Sequence, residues 1–277
     1  MLAYEWMRIA FVAAIVLGIA LPLVGSTAVY KRLSSSGDAL AHSSLAGVAI
    51  GLVAGLNPLV ISIVACVVSF LIIELLRKKF SKFSEIGVAV VLSAAIGVAG
   101  ILSRYARSLN FDSYLFGSIL LIKQEELIAS CIIAAIVLAF YIIFYRHIAA
   151  SLYSEDEAKV NGVKVVGINF AHSLLLSITI AISAKVVGSL VVSSMIVLPT
   201  AIALLFKRGY FQTMLLSLGA SLISMIGGLV VSYYADWAPG ATIVSFSICV
   251  LALVLLVRLI LYFIKKSKLK KTLIKVE

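Results

Sequence analysis

With 277 residues, 63% of them hydrophobic and 13% charged, the chain carries more apolar side chain than one soluble core of that size can hide, so the excess must face lipid. The net charge of +11 does not make it a nucleic-acid binder, because the Lys and Arg residues flank hydrophobic runs instead of gathering on a folded basic surface. A membrane β-barrel is excluded too, since runs such as IVLGIALPLV and SICVLALVLLVRLILYF lack the alternation that a barrel strand needs.

A bilayer core of about 30 Å needs about 20 apolar residues per helix. Such runs predict spans near residues 7–30, 38–56, 58–76, 86–103, 127–146, 167–184, 186–206, 211–234 and 241–264. The expected fold is all-α: one polytopic transmembrane helix bundle of about eight or nine helices over residues 1–277, with no soluble domain and no clear repeat. The first run is long and no small-residue cleavage pattern follows it, so it reads as a span and not as a secretory signal. Positive charge is concentrated in RKKFSK at 77–82, KR at 207–208 and the tail KKSKLKKTLIK at 265–275, which assigns these connections to the cytoplasm. Placing Lys31 and Arg32 there as well puts the N-terminus outside and favours an odd number of crossings, a parity that one broken or re-entrant segment between 165 and 206 would change.

Function must come from the few polar groups left within the membrane. The second predicted span opens as GDALAHSSLAGVAIGLVAG, residues 37–55. Asp38 and His42 are spaced i, i+4, so on a helix they stack on one face about 40° apart, where a carboxylate oxygen and an imidazole nitrogen can reach one ion. That donor pair suits a borderline cation such as zinc. The same spacing fits an interfacial Asp acting as an N-cap with a His beneath it. Gly47, Gly51 and Gly55 form a small-xxx-small ridge on the opposite side, a packing face for another helix. Two ligands are an incomplete site; a second copy related by two-fold symmetry would bring the set to two Asp and two His.

In the connection after the fifth span, SEDEAKVNGV at 154–163 predicts a short amphipathic helix. Ser154 and Glu157 make an S-x-x-E capping box, Glu155 and Asp156 favour the positive end of the helix dipole, Ala158 lies within the helix, and Gly162 can close it. By itself such a helix could simply order a loop. Farther on, Gly188, Ser193, Ser194 and Pro199 are expected to interrupt an apolar run, and broken helices at membrane depth are tolerated mainly where they border protein or a water-filled cavity, which suggests a transport path. Asp236, Pro239 and Gly240 read as a tight turn. His172, beside Asn169, Ser173 and Ser177, is a lone intramembrane His expected to make an interhelical hydrogen bond, with metal binding as the alternative. His147 falls at a span end, and Lys185 near the outer surface between two spans. Cys66, Cys131 and Cys249 lie in apolar spans without paired spacing and are expected to be buried small hydrophobes. No G-x-x-x-x-G-K-[ST] loop is present, so ATP energy would have to come from a partner. Nor is there a chain of embedded acids for a proton relay, or an H-E-x-x-H helix.

Five segments in order, GDALAHSSLAGVAIG, YLFGSILLI (114–122), DEAKVNGVKV (156–165), KVVGSLVVSSMIVLPTA (185–201) and PGATIV (239–244), resemble the membrane permeases of bacterial zinc and manganese ATP-binding-cassette importers. The resemblance runs from about residue 20 to about residue 260. It implies that Asp38 and His42 belong to a transient metal site, and that the helix of Ser154, Glu155, Asp156, Glu157, Ala158 and Gly162 couples to a cytoplasmic ATPase. It further implies two copies of the chain in the bacterial cytoplasmic (inner) membrane, separate ATPase subunits that do the hydrolysis, and an extracytoplasmic metal-binding protein that delivers the ion. No permanently bound cofactor is implied; Zn2+, or Mn2+, is cargo. The wording GDALAHSSLAG is closer to the zinc form GDTLAH than to the manganese form GDAISH followed by LPG. Ala39 departs from the first form, Leu40 and Ala46 from the second. Manganese or iron as cargo, a gradient-driven secondary transporter and a non-transporting scaffold are the competing readings.

Overall fold

The computed structural model describes residues 4–79, 84–106, 122 and 124–273. These residues form helices without a strand among them: α1 Glu5–Tyr30, α2 Ser34–Ala54, α3 Pro58–Lys79, α4 Ser84–Ala106, α5 Gln124–Tyr153, α6 Glu155–Val160, α7 Val165–Val187, α8 Ser189–Leu204, α9 Tyr210–Ala235 and α10 Pro239–Leu273. Eight of them, all but α6 and α8, are long and apolar enough to cross a membrane. The segment YLFGSILLI lies outside the described residues except for Ile122.

The count resolves between eight and nine at α8. This helix has 16 residues, about 24 Å at 1.5 Å per residue, which is short of a full hydrocarbon core. It nevertheless runs back along the bundle. At one end, Lys185, just before α8, pairs with Glu126 at the start of α5 at 2.9 Å. At the other, Phe206, just after α8, lies 5.9 Å beneath the Arg258 guanidinium of α10. Trp6 of α1 meets Tyr233 of α9 (6.4 Å) and Tyr30 meets Tyr210 (5.3 Å), so α1 and α9 run antiparallel. The start of α1 and the basic end of α10 therefore lie at opposite ends of the bundle.

One short stretch separates α7 from α8. Gly188, at φ 98 and ψ 148, is at once the C-cap of α7 and the N-cap of α8. Ser193, Ser194 and Pro199 do not interrupt anything, contrary to expectation. Both Ser hydroxyls turn back onto the Leu190 carbonyl (3.2 and 2.9 Å), and Pro199 sits inside the continuous α8. Back-bonding hydroxyls satisfy themselves within a helix, and a Pro removes one donor without stopping a helix whose neighbours hold it in place.

Two helices carry the core. α1 is buried among α5, α7, α8 and α9, and α2 among α3, α4, α7 and α8. Lipid gives no hydrophobic drive for helices to associate, so close van der Waals approach and interhelical hydrogen bonds must hold them. The sequence supplies both. Leu45, Ala46 and Ala49 of α2 pack on Ala95 and Ala99 of α4. Thr27 Oγ1 bonds the hydroxyls of Tyr141 (2.6 Å) and Tyr210 (2.8 Å), tying α1 to α5 and α9. Of the cysteines, only Cys66 is buried, its thiol donating to the Leu40 carbonyl at 3.2 Å; Cys131 and Cys249 are exposed. The expectation that all three are buried fails because an apolar span does not say which of its faces meets lipid.

Candidate functional site

Asp38 and His42 stand one turn apart on α2, which is unbroken from Ser34 to Ala54. The helix starts four residues before Asp38, with Leu33 at the N-cap. Asp38 is therefore not a cap, and the capping alternative is removed. The carboxylate lies on the exposed face of α2 and His42 is half-buried beside it. The Asp38 side chain also neighbours the Ser193 side chain on α8 and that of His42. Ser193 thus meets Asp38 across two helices although 155 positions separate them in sequence. No signal in the sequence points to that pairing.

The opposite face of α2 packs on α3. A Cβ on Gly47 would lie 2.7 Å from Ser62 Cα, and one on Gly51 would lie 2.8 Å from Pro58 Cα. Ser44 and Ser62 exchange a hydroxyl bond of 2.8 Å in the same seam. Gly55, expected to extend this ridge, does not. It is the C-cap of α2 at φ 68, and a Cβ there would meet nothing within 4 Å; its role is to reverse the chain in the left-handed region. α2 thus has one wall locked onto α3, while the face carrying Asp38 and His42 is open only over its first turns and closes farther along, where Leu45, Ala46 and Ala49 meet α4. Beside α8, a groove of about 340 Å³ is lined by Leu190, Ser193, Ser194, Gly240, Val244 and Ser245 among others. Among the described residues, no group of three or more His, Cys, Asp or Glu is placed to hold a metal ion within one chain.

At the basic end, α6 forms as its caps dictate. Ser154 Oγ accepts the Glu157 N–H at 3.3 Å. The returning half of the capping box is not made, because the Ser154 N–H already donates to the Ala150 carbonyl at 3.2 Å at the end of α5. The helix closes at Gly162, φ 78. Its N–H bonds the Lys159 carbonyl and that of Val163 bonds the Ala158 carbonyl, both at 3.0 Å, a Schellman pair. Ala158 is buried, while Glu155, Asp156 and Glu157 are exposed. An acidic, solvent-facing short helix thus hangs from the bundle by one small apolar residue and its end contacts. Beside it lies a cleft of about 670 Å³, lined by Lys31, Glu74, Arg77, Glu155, Asn169 and Ser173 among others. Burial pulls the Lys31 ammonium below its ordinary range, and the nearby Glu155 opposes that shift.

Away from these two regions, His172 bonds the Val24 carbonyl of α1 through Nε2 at 3.3 Å, which requires the proton on Nε2; Nδ1 has no partner. Asp236 takes a left-handed conformation (φ 55) at the end of α9, and Pro239 opens α10. His147 is exposed near the end of α5.

The chain is 36% identical to a probable metal transport system membrane protein of Treponema pallidum, over 92% of this chain and 96% of that one. It is 30% identical to the high-affinity zinc uptake system membrane protein ZnuB of Haemophilus influenzae, over 87% and 93%, and 27% identical to the manganese transport system membrane protein MntC of Listeria monocytogenes, over 88% of each. Its fold matches a chain of the solved structure of PsaBC from Streptococcus pneumoniae in complex with Fab at a TM-score of 0.81, with 24% identity over 91% of each chain. The model of the ABC 3 transport family matches residues 3–260. This multi-pass membrane protein is therefore a member of the ABC 3 transport family.

Proposed function

We propose that the chain is the membrane permease of an ATP-driven divalent metal importer, with zinc as its cargo, and that it hydrolyses nothing itself. The observation that carries this reading is the open face of α2. A carboxylate exposed on a membrane helix is costly against acyl chains and belongs beside a partner or a water-filled path. Asp38 is so exposed, His42 is stacked one turn below it, and Ser193 of α8 borders the pair. A second copy docked on this face would bring two Asp and two His together, a donor set zinc accepts. Such a shared site is weak in each half, as a site that must release its ion should be.

In this scheme an extracytoplasmic metal-binding protein delivers the ion to the end carrying Lys185 and Glu126. Cytoplasmic ATPase subunits receive α6, whose acidic, solvent-facing side and single buried Ala158 suit a helix held out for docking. Alternating access follows from the two copies rocking about the α2 faces. The deciding experiment is metal uptake in cells or vesicles carrying the wild-type chain or Asp38→Ala, followed with zinc and with manganese. Zinc uptake that is lost in the variant supports the reading. Loss of manganese uptake with zinc uptake intact assigns the cargo to manganese, a reading favoured by the likeness to a manganese transport system protein.

A further inference from the structure

The Asn169 side chain is held between two opposite charges. Its Oδ1 accepts from Lys31 Nζ, and its Nδ2 donates to Glu155 Oε1 at 3.0 Å. The amide's orientation is fixed by these neighbours, since only its oxygen can face an ammonium and only its nitrogen a carboxylate. The three residues come from three elements: Lys31 caps the end of α1, Asn169 lies in the second turn of α7, and Glu155 is the first residue of α6.

The Lys31 end of this relay is attached to the candidate metal helix by a stiff elbow. Lys31, Arg32 and Leu33 donate to the carbonyls of Thr27, Val29 and Ala28 (3.0, 3.0 and 2.7 Å), and Arg32 is held at φ 57. α2 starts at Ser34, and Asp38 follows one turn on. These hydrogen bonds give a shift of the Lys31 backbone a short, bonded route to the start of α2. The 670 Å³ cleft beside the relay, walled by Glu74 and Arg77 of α3, provides the space for such a displacement.

We propose that Asn169 is a positioning residue that transmits movement of α6 through Lys31 to the α2 helix bearing Asp38 and His42, and so couples ATP hydrolysis to metal movement. This rests on the reading of α6 as the helix that docks on the ATPase. Asn169 touches neither metal nor ATPase in this scheme. Its signature is the number of metal ions moved per ATP hydrolysed, which a purely structural residue would leave unchanged.

The test uses the full chain assembled with its ATPase in liposomes, with zinc as the probe and with ATP hydrolysis and zinc entry measured together. Asn169→Leu should leave hydrolysis near wild type and lower zinc moved per ATP by roughly five- to a hundredfold, the usual span of a coupling between two sites. Lys31→Glu and Glu155→Lys should each uncouple. The double exchange should recover most of the ratio, because the Asn169 amide can turn over to face reversed charges. That recovery should vanish in the Asn169→Leu background. A wild-type ratio in Asn169→Leu, or a double exchange no better than the single ones, overturns the relay while leaving the docking reading intact. A wild-type chain that fails to bind the ATPase through α6 overturns the docking reading and the relay with it.

Discussion

Gly25 of α1 lies directly against Ile196 of α8: a Cβ on Gly25 would stand 2.4 Å from the Ile196 carbonyl oxygen and 2.9 Å from its Cα. Backbone cannot be pushed aside as a side-chain tip can. The contact fixes the depth and rotation of α8, and with them the place of Ser193 one turn earlier, next to Asp38.

Gly25→Ala is therefore expected to destabilise the bundle by about 1–3 kcal/mol through overpacking and to reduce metal uptake by shifting α8. Gly97→Ala, where nothing lies within 4 Å, is the control and should be neutral or stabilise α4 by about 0.5–1 kcal/mol. Thermal unfolding in detergent compares the two. Equal melting temperatures would remove the tight α1–α8 contact.

Asp38→Ala and His42→Ala are each expected to lower zinc uptake by about tenfold or more, as disturbed metal sites commonly do, with expression and melting temperature close to wild type because both side chains leave the core. Calorimetric zinc titration of the purified chain should show the same loss. Wild-type zinc binding in both variants would place the ion elsewhere.

Lys185 and Glu126 form an ion pair at 2.9 Å in which each side chain is only 13% exposed. Lys185→Met should cost about 3–5 kcal/mol by removing one partner of a mostly buried ion pair. Lys185→Met combined with Glu126→Leu should return much of that stability, since an apolar pair of similar volume carries no charge-desolvation cost. A double-mutant cycle on melting temperature reads the difference, and simple additivity would argue that the pair contributes nothing.

The caps of α6 give a local test. Ser154→Ala should weaken the helix by about 1 kcal/mol, and Gly162→Ala by about 1–2 kcal/mol because φ 78 lies in the left-handed region, where a Cβ is strained. Amide exchange over residues 155–163 should speed up in both variants. On the reading of α6 as a docking helix, binding to an ATPase subunit should weaken in step, whereas unchanged binding would show that the docking surface does not need the ordered helix.

Most of the spans were legible in the sequence, because a helix in lipid must satisfy its backbone internally over a set length and so writes itself as an apolar run. α6 was legible too, since S-x-x-E and N-G are local capping chemistry, and the Asp38–His42 stacking follows from helical spacing alone. Other features depended on which residues approach from far away in the chain. Hydropathy could not separate Gly188, which breaks the helix, from Pro199, which does not. Nor could spacing tell that Gly55 caps while Gly47 and Gly51 pack.

Local pattern was enough for an all-α membrane bundle, an acid and a histidine on one helix face, and a capped helix at its basic end, because each rests on hydrogen bonds or periodicity within a few turns. Three-dimensional packing had to choose that Asp38 meets Ser193, that Gly25 seats Ile196, and that Lys31, Asn169 and Glu155 join in one relay. Those contacts are made between helices, where shape and orientation select the partners and no nearby run of residues records them.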